Sequence, residues 1–366
     1  MNNEIIFIGL NTPSQLLDYQ QHINNINKTD SVHVKLITND PKASVVFEKE
    51  NVIYRNFKYR NFVLLNLYFS FLSIFYLNSR RDRSFKLIYC YKLGASFFAL
   101  PILIYRWIFG VEVELYYDLR SGSLNSNYYR VINKLFSIES KLFDCVLVIS
   151  EGMKDWLFRN RKNTYVLGVG TARELSLHRE GATEIYISFP SSIKYVVAYS
   201  GTFALRNMWS YFENQKVYDE VAYIFVGDGD DDFVKKMSSK FSRKNLVFTG
   251  RLTYEESLSI LNRADICFSL VPDTEYYAHQ PPTKIFDYIN LRKPIITNTH
   301  SATVNILKKF NWSYSICSTT KGLIDNLTTL EHLILDAKDS SLKEIERYYW
   351  DNITKDLLSI LFDKRA

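Results

Sequence analysis

The sequence predicts an α/β protein of two doubly wound parallel-sheet domains, and three observations carry that prediction. Short apolar runs rich in Ile, Val, Tyr and Phe alternate with helix-length segments along the whole chain. At 366 residues the chain exceeds one ordinary domain and suits two of roughly 150–200 residues each. A loop-rich stretch at 168–192, with Gly168, Gly170, Gly181 and Pro190, interrupts the alternation once, after which it restarts.

In the first half, residues 5–8, 32–37, 86–91, 111–117 and 145–149 read as strands. Helix-length stretches at 15–24, 62–77, 93–109, 128–143 and 152–159 lie between or after them. Continuous apolar strands separated by helices indicate a sheet buried on both faces, which is a parallel sheet. In the second half the strands are 195–200, 221–226, 245–249, 266–270 and 294–297, with helices at 207–214, 232–241, 254–263 and 283–291. A last helix is predicted over 344–362. The expected domains are 1–190 with a returning helix at 346–366, and 191–345. Ligands of such folds bind outside the carboxyl ends of the strands.

Composition narrows the class. Charged residues at 23% and hydrophobic ones at 47% are globular values. The abundance of Tyr (26) and Phe (25) reads as compositional drift rather than chemistry. Cys90, Cys145, Cys267 and Cys317 form no C-x-x-C pair, so neither a disulfide framework nor a zinc site is indicated. The first residues lack a basic segment followed by a long apolar run, so a cytoplasmic, reducing location is expected. Residues 62–77 and 93–109 fall short of the roughly 20 apolar residues that span a bilayer and fit buried or interfacial helices. The net charge is +6. Between Arg55 and Lys92, eight basic residues face one acid, a patch that can attract nucleic acid, anionic lipid or a phosphorylated substrate. No recognisable nucleic-acid module accompanies it, and nucleic acid is not an expected partner.

The densest chemistry lies between Asp265 and Asn298. A strand gives way to a loop containing Pro272, Pro281 and Pro282, and a helix starts near Thr283. A helix N-terminus at a strand-end crevice offers free N–H groups to a phosphate. Lys284 in the first turn places a cation where the helix already favours an anion. The acidic turn 228–232 lacks the spacing of a calcium loop and reads as a solvated turn; no metal or other cofactor is expected.

Pro282-Thr283-Lys284-Ile285-Phe286-Asp287-Tyr288 followed by Lys293-Pro294-Ile295-Ile296 resembles the donor-binding region of family 4 glycosyltransferases of the GT-B fold. Tyr199-Ser200-Gly201-Thr202 with Arg206-Asn207 resembles that family's first glycine loop. Phe225-Val226-Gly227-Asp228-Gly229 and the 245–252 segment ending Gly250-Arg251-Leu252 resemble its next two strand ends. In the first half Tyr117-Asp118-Leu119-Arg120 and the stretch 139–153 resemble the acceptor domain, and 349–353 resembles the helix that crosses back onto it.

The resemblance implies two Rossmann-like domains facing across a cleft and retaining transfer of a sugar from a nucleotide sugar. It assigns Gly201, Gly227 and Thr283 to the donor, Thr202 and Arg206 to its phosphates with Lys284 beside them, the backbone at Arg251 and Leu252 to the base, and Asp287 to the ribose, with Arg206 and Lys284 as catalytic candidates. His279 stands where the family's first acid belongs and is carried as a catalytic candidate. Tyr117, Asp118 and Arg120 fall on the acceptor side, with Tyr117 where many relatives have His. The family also implies work on surface polysaccharides, O-antigen or capsule. The basic and apolar stretch 55–110 suits a lipid-linked saccharide at the inner membrane face. His279 and the twin prolines leave open a silent nucleotide-sugar-binding scaffold, and a GT-B sugar-nucleotide epimerase is the other alternative.

Overall fold

The computed structural model describes residues 3–10, 16–29, 32–39, 47–49, 52–55, 61–90, 93–123, 127–173, 187–204, 206–339 and 342–363. The chain forms two compact units, Met1–Val169 with Trp350–Ala366, and Gly170–Tyr349.

The first unit is built on one sheet: β1 (Asn3–Gly9), β2 (His33–Asn39), β3 (Phe47–Lys49), β4 (Val52–Arg55), β5 (Ser84–Cys90), β6 (Val113–Leu119), β7 (Cys145–Val148) and β8 (Thr164–Val166). Their order is β3-β4-β2-β1-β5-β6-β7-β8, parallel throughout except β3 against β4. Parallel neighbours require crossovers. Helices α1 (Leu17–Asn27), α2 (Phe62–Asn78), α3 (Ala95–Phe109) and α4 (Tyr129–Glu139) lie in these connections, and α5 (Glu151–Phe158) links β7 to β8. Asn61 caps α2 by accepting from the N–H groups of Val63 and Leu64, and Ser150 caps α5 through Met153 N–H. The predicted 128–143 helix stops at Glu139 and tightens into a 3₁₀ turn at Ser140–Leu142.

The second unit holds β9 (Tyr195–Ser200), β10 (Val221–Val226), β11 (Leu246–Gly250), β12 (Ile266–Ser269), β13 (Ile295–Thr297) and β14 (Tyr314–Ile316). All pairs are parallel in the order β11-β10-β9-β12-β13-β14. This is the doubly wound order 3-2-1-4-5-6, whose direction reverses between β9 and β12. Its helices are α6 (Trp209–Phe212), α7 (Asp231–Lys240), α8 (Tyr254–Arg263), α9 (Glu275–Ala278), α10 (Lys284–Asn290), α11 (Ser301–Lys309) and α12 (Leu327–Asp339). Thr253 and Glu256 form a reciprocal capping box at the start of α8. The predicted helix at 207–214 shrinks to the single turn of α6.

Side-chain alternation sends each strand's residues to two cores. Val197, Tyr199, Tyr223, Phe225 and Phe268 pack on one face of the second sheet, and Ala198, Ile224, Val226 and Cys267 on the other. The first face is dominated by rings, among them Phe225 stacked on Phe248 at 4.9 Å between centroids.

The single helix predicted over 344–362 is two elements: a 3₁₀ segment, Lys343–Tyr348, in the second unit, and α13 (Trp350–Phe362) in the first. Extended backbone at Tyr349 (ψ 139°) separates them. Helix α13 therefore returns to the first unit, where it packs on α1. The fully buried His22 ring of α1 lies against Trp350, and its Nδ1 meets the Thr354 hydroxyl at 2.9 Å.

Burial, with the Arg120 charge as a smaller cause, depresses His22 from 6.5 to about 3. The folded state keeps His22 neutral while the unfolded chain protonates it, so stability falls as pH drops below 6.5 toward 3, by about 1.4 kcal/mol per pH unit. His22→Gln should flatten the pH dependence of the urea midpoint between pH 5 and 6.5 relative to wild type. Parallel curves for the two proteins would remove His22 from this role.

Candidate nucleotide-sugar site

The carboxyl ends of β9, β10 and β11 meet backbone to backbone. Gly201 N–H donates to Val226 O at 2.9 Å, Phe203 N–H to Asp228 O at 2.8 Å, and Gly227 N–H to Gly250 O at 2.9 Å. Gly201 and Gly227 have φ of +130° and +132°. A methyl group on Gly227 would overlap the Gly201 carbonyl, and one on Gly201 would lie 2.8 Å from Lys284 Nζ. Both glycines are thus required by conformation, and Gly227 by space as well.

Lys284 begins α10 and is half-buried. Its Nζ sits 3.6 Å from the centre of the Tyr199 ring. Beside it, the Arg206 guanidinium lies 5.1 Å from the Tyr277 ring centre, with Nε buried and without a hydrogen-bond partner among the described residues. No described carboxylate pairs with either cation. Burial, reinforced by the Arg206 charge, holds the Lys284 ammonium well below the usual lysine range. Burial likewise pushes the Tyr199 phenol up to about 12, against the opposing pull of Arg206. The Tyr199 hydroxyl donates to Thr202 O at 2.8 Å, so the ring stays neutral and presents its face to the ammonium. Arg206 and Lys284 are thus neighbouring cations whose counterparts are aromatic rings.

The other predicted residues fall into place around this pair. Thr202 is exposed, with its hydroxyl occupied by Asp228 O and Ala204 N–H, so it shapes the loop. Asn207 takes the left-handed conformation (φ 48°) directly after Arg206, which turns the chain toward α6. Thr283 is the exposed residue preceding α10, and Phe286 N–H donates to its carbonyl. Arg251 follows β11 and pairs with Asp228 at 2.6 Å; Leu252 beside it is half-buried. In the acidic turn Asp230 caps α7, and Asp232 pairs with Lys236 at 2.7 Å. Among the described residues no group of His, Cys, Asp and Glu side chains is arranged to hold a metal.

Two placements differ from the expected roles. Oδ1 of Asp287 accepts from the Tyr254 hydroxyl at 2.6 Å and the Thr171 hydroxyl at 2.7 Å, which fastens α10 to α8 and to the start of the unit. In the first unit the Tyr117 ring is fully buried between Tyr89 and Phe143 and presents no surface. Asp118 is buried and pairs with Arg120 at 2.9 Å, while Arg120 also donates to Leu167 O at 3.1 Å. That pair closes the carboxyl end of β6 onto the segment after β8. His279 ends α9 at the loop that brings Tyr277 to Arg206.

The sequence did not single out Tyr277 or His300. His300 is fully buried, and its Nδ1 receives Thr303 N–H at 3.3 Å. Its Nε2 therefore carries the hydrogen and donates to Tyr277 O at 3.0 Å. Burial holds the His300 pKa below its ordinary value, consistent with this neutral ring. The imidazole thus fixes α9, whose Tyr277 ring supports Arg206. A lone His after a strand carries no spacing signal that announces this.

No family model matches the chain, and no curated protein matches it in sequence. Solved structures do. A glycosyltransferase from Rickettsia africae aligns with a TM-score of 0.67 at 11% identity, over 100% of both chains. HepE of Anabaena, in complex with UDP, aligns at 0.60 and 12% identity, over 98% of this chain and 100% of that one. A putative UDP-N-acetylglucosamine 2-epimerase from Listeria monocytogenes aligns at 0.60 and 9% identity, over 99% and 97%. At these identities the likeness is one of fold: the chain has the GT-B fold, two Rossmann-like parallel sheets of which the second carries the cation pair.

A half-buried cation with no carboxylate partner among the described residues costs stability until an anion pairs with it. Lys284→Met should raise the thermal midpoint of the protein alone, by an amount corresponding to about 1–2 kcal/mol. A lower midpoint would mean that Lys284 is a structural partner instead.

Proposed function

We propose that the protein is a glycosyltransferase that moves a sugar, with retention, from a nucleoside-diphosphate sugar onto a lipid-linked saccharide acceptor in surface-polysaccharide assembly. The observation that carries the donor half of this reading is the pair Arg206 and Lys284, without a carboxylate, at the point where the second sheet reverses direction. Nucleotide-binding crevices of doubly wound sheets lie there. Bond breaking at the anomeric carbon leaves negative charge on the departing diphosphate. Cations fixed in advance by Tyr199 and Tyr277 meet that charge without reorganising. The backbone at Arg251 and Leu252 is assigned to the base, Asp287 to the ribose, and His279 to the sugar. Asp118 and Arg120 remain the acceptor-side assignment through the surface they close.

A second reading has its own support. UDP-N-acetylglucosamine 2-epimerases are among the structures the chain resembles, and the same cation pair would hold a UDP leaving group in an epimerase.

A panel of nucleotide sugars separates the readings. One donor should raise the thermal midpoint and release free nucleotide slowly without an acceptor, faster with one. Lys284→Ala should cut that turnover about 100-fold or more while the circular dichroism spectrum is unchanged. Conversion of the sugar at C2 without need of an acceptor would select the epimerase, and stabilisation without turnover would leave a binding protein.

A further inference from the structure

We propose that the outward apolar face of α2, α3 and α4 in the first unit docks the protein on an anionic lipid bilayer, with Arg80 and Arg81 meeting lipid phosphates. Exposed side chains follow helical spacing on each element. Leu64, Phe71 and Phe75 mark one stripe of α2, and Leu100, Ile104 and Trp107 one stripe of α3, with Trp107 85% and Phe75 76% exposed. Val131, Leu135 and Ile138 continue the pattern on α4. Buried polar contacts bind the three helices together. The Ser70 hydroxyl of α2 donates to Phe98 O of α3 at 2.7 Å, and the Ser96 hydroxyl donates to Glu139 of α4 at 3.1 Å. The apolar stripes therefore belong to one packed layer. Exposed apolar side chains gathered on one layer mark a surface that meets a partner or a membrane.

Charge decides the occupant. Helix α2 contains no charged residue, and Arg106, the only one in α3, is tied to Asp144 at 2.9 Å. Glu139, the acid of the α4 stripe, is engaged by Ser96. At the end of the layer Arg80 lies 4.1 Å over the Tyr76 ring and Arg81 4.9 Å over the Phe109 ring. Neither pairs with a carboxylate among the described residues, whereas Arg83 beyond them is neutralised by Glu4. A second copy of this face would set arginines against arginines, with Asp82 the one acid of the 78–83 turn. Lipid phosphates at the edge of an acyl layer satisfy both the apolar stripes and the arginines. No helix of the described residues is long and apolar enough to cross a membrane, so the contact lies along the interface.

Co-sedimentation with vesicles tests this on the full chain. Phosphatidylcholine vesicles containing phosphatidylglycerol should pull the protein down, and vesicles of phosphatidylcholine alone should do so far less. Brominated lipid should quench Trp107 emission, and Trp107→Phe should remove that component. Trp107→Ser with Phe75→Ser should lower partitioning at least tenfold with the circular dichroism unchanged. Arg80→Gln with Arg81→Gln should weaken binding to the anionic vesicles roughly 25-fold, at about fivefold per charge. The proposal is overturned if the protein ignores anionic vesicles or if neither double variant changes its binding. It is also overturned if sedimentation shows a dimer that Trp107→Ser dissociates while vesicles bind nothing. None of these readouts involves the donor site, so its success or failure is independent of the transferase reading.

Discussion

The close approach of Gly201 to Gly227 sets the geometry on which the second unit's site depends. Without a Cβ at either position, the ends of β9 and β10 touch main chain to main chain. That contact leaves the space beside Gly201 that Lys284 Nζ fills. The Tyr199 ring, anchored through its hydroxyl to Thr202 O, supports the ammonium from one side. The Tyr288 hydroxyl of α10 accepts from Ser200 N–H at 3.0 Å, which holds the lysine's own helix against the same strand. A glycine pair, two tyrosines and one helix thus fix a cation to a small volume before any ligand arrives.

The same region shows how a fold tolerates an unfavourable element. An ammonium and a guanidinium side by side, with no carboxylate partner among the described residues, reduce the stability of the unbound protein. The surroundings compensate with packing. Behind Tyr199 lies a sheet face of interlocking rings, Phe203, Phe212, Phe225, Phe233 and Phe268. The high aromatic content therefore has a structural use, whatever its compositional origin. On the other side His300 and Asn298 fasten the loops after β13 and β12, the latter through paired hydrogen bonds with Val271.

Much of this was legible in the sequence because parallel strands buried on both faces read as unbroken apolar runs. The ten predicted strands are all present, and Lys284, Arg206 and Gly201, which the resemblance assigned to one site, lie together. What escaped has physical reasons. Strands β3, β8 and β14 are three residues each, too short for a periodic signal. The last helix breaks at Tyr349 because the chain changes unit there, which no local propensity records. Tyr117 and Asp118 occupy adjacent positions of a strand buried on both faces, so alternation gave no exposed side to assign. Asp287 reads as a ligand-facing acid, yet its Oδ1 partners Thr171 and Tyr254 lie 116 and 33 residues away. Tyr277 and His300 act through a carbonyl and a ring face, contacts that leave no motif.

We propose that Lys284 and Arg206 form an anion site that the protein builds at a cost to its own stability. Calorimetric titration with inorganic pyrophosphate tests it without assuming a base or a sugar. Wild type should bind pyrophosphate, more weakly as salt rises, and both Lys284→Met and Arg206→Gln should lose that binding while remaining folded. Equal affinity in all three proteins would contradict it.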